Sequence, residues 1–399
     1  MIDARAARNA PDEYRRRLAR KGAAEAFDAW LAADERWREL VPRVDELRSQ
    51  TKLKGKPSPE QLEELRGVKE QLQRGEQELA EAEAARDVLG LRVANPPADD
   101  VPDGSTEDDV VEVRRVGEAP QLTEPKEHLE LGRFDMERAA RMSGARFGYW
   151  IGDTGRLALA LYRYALDRLA EKGFVTVLPP VLVREEALVG TGAFPSDEAN
   201  VYELDADGLY LAGTAEIPVA SLHAGEILAA EELPLRYVAF SPCFRREAGA
   251  AGRDTRGMIR VHQFNKVEQF ALTLPESSWN EHELLLVNTE ELVRDLGLPY
   301  RIVVLPAGDM SAASAKTYDV EVWFPSQERY REAASISNTT DFQSRRLGIR
   351  VRGEHGLEHV HMLNGTAVVD RMALAILENF QGDVPDVLKS YGAPDRVEP

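Results

Sequence analysis

The sequence predicts a two-domain α+β protein, an antiparallel helical hairpin followed by a domain of mixed strands and helices. Three observations predict it. Residues 24–93 carry two apolar heptad seams joined by a short Lys/Gly/Pro break, an acidic run with Pro102 and Gly104 follows, and beyond it runs of period two alternate with helical runs. The boundary is placed at residue 104, giving domains of 1–104 and 105–399.

The chain of 399 residues, 43% hydrophobic and 30% charged, is long enough for two cores. No apolar run approaches the ~20 residues that span a bilayer, and the opening MIDARAARNAPDEYRRRL has no apolar signal core. The single cysteine, Cys243, excludes an internal disulfide and a multi-cysteine zinc site. The expectation is a cytoplasmic protein with no zinc and no membrane contact. A formal charge of -19 argues against non-specific coating of nucleic acid, yet leaves room for a specific RNA partner met by local basic patches.

In the first domain Trp30, Trp37 and Val44 recur every seven residues, with Ala33, Leu40 and Leu47 three places after each. This is an a/d seam on a helix from about Ala24 to Thr51, with Pro42 expected to kink it. A second helix, about Glu60 to Val93, carries Leu65, Leu72 and Leu79 in one row and Val68, Ala82 and Leu89 in the other, with Gly75 as a gap. Two seams and a short turn make an antiparallel hairpin, each helix roughly 40–50 Å long at ~1.5 Å per residue. Lys52, Lys54 and Lys56 cluster at its tip, where a phosphate backbone could be met. By pattern alone a spacer or dimerisation hairpin fits as well.

After the acidic linker, Val110 to Val116 alternates as a strand and Leu122 to Ala140 reads as helical. A helix from about Gly155 to Lys172 ends at Gly173, and a strand through Val175 and Val177 closes at Pro179-Pro180. Gly213-Thr214-Ala215-Glu216 follows a short strand; its Thr and Glu could hold an ammonium group or simply cap a helix. From Phe240 to Phe270 two strands flank a Gly-rich charged loop. His262, Phe264, Lys266 and Glu268 share one face of the second strand, and Val261, Gln263, Asn265 and Val267 the other. Arg245 to Glu268 holds six Lys/Arg against three Asp/Glu, a local excess that suits a nucleotide phosphate; an exposed hairpin with a solvated loop is the plain alternative. Next come strands from Tyr318 to Phe324 and from near Tyr330, on which Glu332 and Ser335 could bring a carboxylate and a hydroxyl to a magnesium ion. A strand from His359 to Leu363 is expected to turn at Asn364-Gly365-Thr366 before a helix over about Val369 to Phe380.

The order FRREAGAAGRDTRGMIRVHQFNKVE resembles motif 2 of the class II aminoacyl-tRNA synthetases, in the form carried by bacterial-type seryl-tRNA synthetases. The helix–Gly–strand–Pro run resembles motif 1 and HVHMLNGTAVVDRMALAILENFQ resembles motif 3, so the likeness covers nearly the whole chain. It implies an antiparallel sheet flanked by helices, a homodimer built on motif 1, and a hairpin that grips tRNA(Ser). It implies activation of L-serine with ATP and Mg2+ and transfer to tRNA, with tRNA(Sec) as a second acceptor left open.

The resemblance also assigns roles by position. Arg245 and Arg371 are implied to be catalytic, facing the α- and γ-phosphates. Thr214, Ala215, Glu216, Arg245, Glu268, Asn364 and Thr366 are implied for serine. Arg245, Arg246, Glu247, Val261, Phe264, Glu332, Ala333, Ala334, Ser335 and Arg371 are implied for ATP, with Glu247 accepting from the adenine amino group and Phe264 stacking on the ring. Glu332 and Ser335 would hold the metal, and the loop Ala250 to Gly257 would approach the tRNA acceptor end. His262 reads as structural. Two departures are visible. Ala333, Ala334 and Ile336 stand where the family usually has Ser and Cys, and Asn364 and Arg371 enclose one residue fewer than usual. They keep two rivals open: a biosynthetic paralogue and a non-catalytic tRNA-binding paralogue.

Overall fold

The computed structural model describes residues 1–52, 58–248, 257–353 and 356–399, and its contacts divide the chain into two units, Met1–Pro96 and Pro97–Pro399. In the first, short helices Ala4–Asn9 and Pro11–Ala19 lead into the hairpin helices Ala24–Gln50 and Pro59–Arg92. Trp30 and Val44 are buried from one helix and Gly75 and Ala82 from the other, as the heptads require, while at the end of the row Gly90 is buried in place of the expected Leu89. The glycine gap has a purpose. A Cβ on Gly75 would lie 3.3 Å from Val44 Cγ2, and one on Gly90 would lie 3.3 Å from Trp30 Cδ1, so each glycine is the hole for an opposing knob. Ser58 and Gln61 start the second helix with a capping box. The first helix runs on through Pro42 to Gln50, giving up one backbone hydrogen bond there. Asp34 lies off the predicted seam yet is buried, because Arg8 at 2.5 Å and Arg38 at 3.0 Å neutralise it.

The second unit is built on eight strands: β1 (Val111–Val116), β2 (Val175–Val177), β3 (Leu235–Phe244), β4 (Gln263–Thr273), β5 (Tyr300–Val304), β6 (Lys316–Phe324), β7 (Arg329–Asn338) and β8 (His361–Val369). Their spatial order is β1-β5-β6-β7-β8-β4-β3-β2. Every pairing is antiparallel except that of β2 with β3. Gln269 of β4 points at the helix Ser278–Asp295, donating to Leu285 O and Thr289 Oγ1, while Phe264, Lys266 and Glu268 face the opposite way, into a cavity. One face of the central strand is thus core and the other is site.

Three expectations change. The acidic segment after Pro97 is partly docked: Ala98 N donates to Ala315 O at 2.8 Å, Ala307 N to Pro102 O at 2.9 Å, and Lys316 pairs with Asp100 at 2.5 Å. Leu122 to Ala140 is not one helix; it holds only His128–Leu131 and the start of Met136–Ser143, since Pro125 and Gly132 break it. The chain does not turn at Asn364-Gly365-Thr366 but runs through as β8 into the helix Asp370–Asn379. Gly365 is needed there for packing: a Cβ would meet Ile336 Cγ1 and Cγ2 at 3.2 Å. The branched Ile336 on neighbouring β7 occupies that space.

Candidate active site

A cavity of about 320 Å³ opens over β4, β7 and β8. Thr214, Glu216, Glu268, Asn364 and Thr366 line one part of it, and Arg245, Glu247, Val261, Phe264, Glu332, Ala333, Ser335 and Arg371 line the rest. The residues come from four separate stretches, and each is held by something the local sequence supplies.

Asn364 Nδ2 donates to Glu216 Oε1 at 2.9 Å, and Gln343 Nε2 donates to the same oxygen at 2.7 Å. Withdrawal from water, reinforced by the nearby charge of Glu268, pushes the Glu216 carboxyl up to about 7. Glu268 pairs with Lys266, two places back on the same face, and Lys266 Nζ also donates to Thr214 Oγ1 at 2.8 Å. Thr214 Oγ1 accepts from Glu216 N at 3.2 Å, although the N-cap position of the helix Glu216–Ala220 is Ala215, and the same hydroxyl lines the cavity. Ala215 is fully buried beneath the loop and presents no side chain to the cavity.

Two β-bulges aim the phosphate-side residues. On β7, Val320 pairs with Ala334 and Glu321 with Glu332, leaving Ala333 as an extra residue. A straight strand would send Glu332 and Ser335, three apart, to opposite faces; the bulge brings them together, with Ser335 Oγ donating to Glu332 Oε1 at 3.4 Å. On β8, Glu268 pairs with Thr366 and Val267 with Val368, so Ala367 is extra. The cavity-facing parity moves from Asn364 and Thr366 to Val369, and Arg371 follows into the site. The short spacing to Arg371 therefore carries it to the cavity rather than away. Arg371 Nη1 lies 3.3 Å from Glu332 Oε2 and also donates to Glu332 O; Nη2 donates to Ile259 O at 3.3 Å.

Arg245 sits over the Phe264 ring at 5.2 Å with its Nε on Gly213 O at 3.2 Å, which fixes the guanidinium on the rim. Glu247 is paired with Arg260 at 2.5 Å. Because β4 begins at Gln263, the chain before it leaves strict alternation. Val261 turns into the cavity with Phe264, whereas His262 Nδ1 binds Arg245 O at 2.9 Å and its ring packs by Phe147 and Tyr202.

Two expected nucleotide residues are not in this cavity. Ala334 is buried in the core behind the bulge, and Arg246 lies over Tyr202, 5.8 Å from its centroid. Lys54, Lys56 and Ala250 to Arg256 lie outside the described residues. Lys266 and Arg260 were given no site role from the sequence, although Lys266 shares the alternating face with Phe264 and Glu268 and was findable. Gln343, which the resemblance includes only as part of an expected pattern, reaches Glu216 from the helix Phe342–Leu347.

Glu332 and Ser335 are the residues that would hold a magnesium ion, which binds through one or two carboxylates together with substrate phosphates; among the described residues no group of three or more His, Cys, Asp or Glu gathers to hold one unaided. Glu332 and Ser335 converge, and Asp319, opposite Ser335 across the strand pair, is buried with Oδ1 lacking a hydrogen-bond partner among the described residues. Burial first, and the charge of Glu332 second, push Asp319 well above the usual carboxyl range.

Comparison with known proteins adds independent findings. Residues 1–97 match the seryl-tRNA synthetase N-terminal domain, and residues 201–380 match the tRNA synthetase class II core domain (G, H, P, S and T). The chain is 42% identical over its full length to all of a serine--tRNA ligase from Mycolicibacterium vanbaalenii. It is 43% identical over its full length to 99% of serine--tRNA ligase 1 from Streptomyces avermitilis. Its fold is similar to the crystal structure of seryl-tRNA synthetase from Pyrococcus horikoshii complexed with ATP, with a TM-score of 0.94, 38% identity and full coverage of both chains.

Proposed function

This chain belongs to the seryl-tRNA synthetase family, and from that premise we propose how its cavity activates L-serine with ATP and passes the seryl group to the 3'-terminal adenosine of tRNA(Ser). The observation that carries the reading is the convergence, in one cavity, of ammonium- and hydroxyl-binding groups with two arginines.

The serine carboxylate attacks the α-phosphorus of ATP, the bond from that phosphorus to the bridging oxygen breaks, and pyrophosphate departs. The nucleophile arrives ionised, so no general base is needed; the work is positioning and neutralising charge on phosphate oxygens. Glu216 receives the ammonium group beside the Thr214 hydroxyl, with Glu268 and Thr366 as partners of the serine hydroxyl. A site built to pair a hydroxyl leaves buried polar groups unpaired when alanine enters, so alanine is strongly rejected. Arg245 faces the α-phosphate and Arg371 the γ-phosphate, while Phe264, Val261 and Glu247 receive the adenine. Glu247 must exchange Arg260 for that role. Glu332 and Ser335 would hold Mg2+, which neutralises phosphate charge when bound.

The hairpin is the proposed tRNA-gripping element, with Lys52 at its described tip. A homodimer is proposed through the face near motif 1, where Leu159, Val175 and Leu178 are 65, 59 and 75% exposed, more apolar exposure than a lone surface residue explains. Among the described residues no helix is long and apolar enough to cross a membrane, and a cytoplasmic location is proposed. The test is amino-acid-dependent exchange of labelled pyrophosphate into ATP with serine, threonine, alanine and glycine. Exchange with serine alone is expected. Exchange with another amino acid would favour the biosynthetic paralogue, and no exchange from folded protein would favour the non-catalytic one.

A further inference from the structure

We infer that His128 is a positioning residue for Arg371, acting through a closed circuit of hydrogen bonds, buried at His128 and part-buried at Arg371, that joins the two walls of the nucleotide cavity. The helix Asp370–Asn379 carries Arg371 in its first turn and Glu378 two turns later. Glu378 is fully buried and its carboxylate is saturated. Oε1 accepts from His128 N at 3.2 Å and pairs with His128 Nδ1 at 2.7 Å; Oε2 accepts from Ser326 N at 3.2 Å and Ser326 Oγ at 2.6 Å.

With Nδ1–H committed to Glu378, the imidazole presents a lone pair at Nε2. That lone pair accepts from Met258 N at 3.3 Å. The neighbouring Gly257 lies close to the ring, since a Cβ there would be 2.8 Å from Nε2. Met258 and Ile259 form part of the cavity wall, and Ile259 O accepts from Arg371 Nη2 at 3.3 Å. The circuit therefore runs from Arg371 down its own helix to Glu378, across to His128, on to Met258, and back through Ile259 O to the guanidinium. His128 touches no reacting atom. Its imidazole fixes how far the Met258–Ile259 wall stands from the helix that bears Arg371, and so where the guanidinium can point.

This inference rests on the proposed role of Arg371 at the phosphates. It predicts a split that general destabilisation does not produce: ATP parameters should move and serine parameters should not. His128→Gln can still offer an acceptor to Met258 N, whereas His128→Asn can still donate to Glu378 but cannot reach Met258. In serine-dependent pyrophosphate exchange with the full-length protein, His128→Asn is expected to raise KM for ATP and lower kcat by about tenfold each, the scale of one lost hydrogen bond to a charged network. KM for serine should stay within about twofold of wild type, and His128→Gln, which gives up the Nδ1–H bond to Glu378 and so opens the circuit at its other link, should move the same ATP parameters in the same direction.

If His128→Asn does not fold, Ser326→Ala tests the same circuit from the far side of Glu378. It should raise KM for ATP by about threefold with KM for serine unchanged. Unaltered ATP parameters in both His128 variants, a parallel rise in KM for serine, or a Ser326→Ala enzyme with unaltered ATP parameters would overturn the inference. A wild-type protein with no serine-dependent exchange would instead overturn the proposed function, so the two failures are told apart by the unmutated control.

Discussion

The hairpin and the sheet unit bury their side chains in different ways. The hairpin seam is one layer thick: Trp30 meets Gly90, Val44 meets Gly75, and most other seam residues remain partly exposed. Among the described residues its one buried charge, Asp34, is paired with Arg8 and Arg38. The sheet unit has a continuous core on the helix side of β4 and a cavity with several withdrawn ionisable groups on the other. In the hairpin, stability is separable from chemistry. In the sheet unit the same strands supply both, so the cavity's polar groups sit against the core and are tuned by it.

A crossed pair of substitutions tests that separation most severely. Arg371→Ala is expected to lower serine-dependent exchange by about 10²–10³-fold, the cost of removing one preorganised charge partner, while the hairpin melts normally. Trp30→Ala empties the widest part of the seam and should cost the hairpin ~3–5 kcal/mol. It should depress tRNA charging yet leave exchange within about twofold, since its neighbours Phe27 and Gly90 belong to the first unit and the cavity to the second. Exchange kinetics and thermal melting of both proteins check this. If Trp30→Ala abolishes exchange, the two units are not energetically separable.

The next test uses pH. Glu216 is raised from its ordinary 4.5 to about 7, so the folded, ligand-free protein binds more protons than the unfolded chain between those values. Stability from this group is therefore greatest at low pH and falls as pH rises towards 7. Serine's ammonium favours the ionised carboxylate. KM for serine should rise as pH drops below about 7, and serine binding near that pH should release a proton. Glu216→Gln should give a high, flat KM and flatten the fall in stability over the same range. A pH-dependent KM surviving in Glu216→Gln would move the titration to another group.

The same contrast explains what was legible in the sequence. Most of the hairpin could be read because a heptad is a local signal and Gly75 lies in register with it, whereas Gly90, one place past Leu89, shows only against Trp30. The alternating face of β4 was legible too, and it delivered Phe264, Lys266 and Glu268 together. The bulges at Ala333 and Ala367 were not, because an inserted residue shows only against the pairing strand. They decide that Glu332 and Ser335 share a face and that Arg371 enters the cavity despite its short spacing. The supposed turn at Asn364-Gly365-Thr366 failed for a related reason: Asn-Gly is a turn signal in isolation, but here Gly365 makes room for Ile336. Arg246 and Ala334, placed by family position alone, were not brought to the cavity.

The smallest expected effect concerns the hairpin tip. Lys52 is the one tip lysine among the described residues, and it follows the capped end of its helix with no part in the seam. If it meets a tRNA phosphate, Lys52→Ala removes one ion pair and the counterions that pair releases. Affinity for tRNA should fall only slightly near physiological salt. The slope of log K against log salt should become shallower by about 1, the mark of one lost phosphate contact. Serine activation and hairpin melting should not change, because neither depends on an exposed charge beyond the seam. Titrating labelled tRNA at several salt concentrations reads this slope directly. An unchanged slope with unchanged affinity would take Lys52 out of the RNA contact and shift attention to the sides of the hairpin. A changed slope accompanied by lower melting would show that the tip lysine supports the seam as well, and that the hairpin's chemistry is less separable from its stability than the one-layer packing implies.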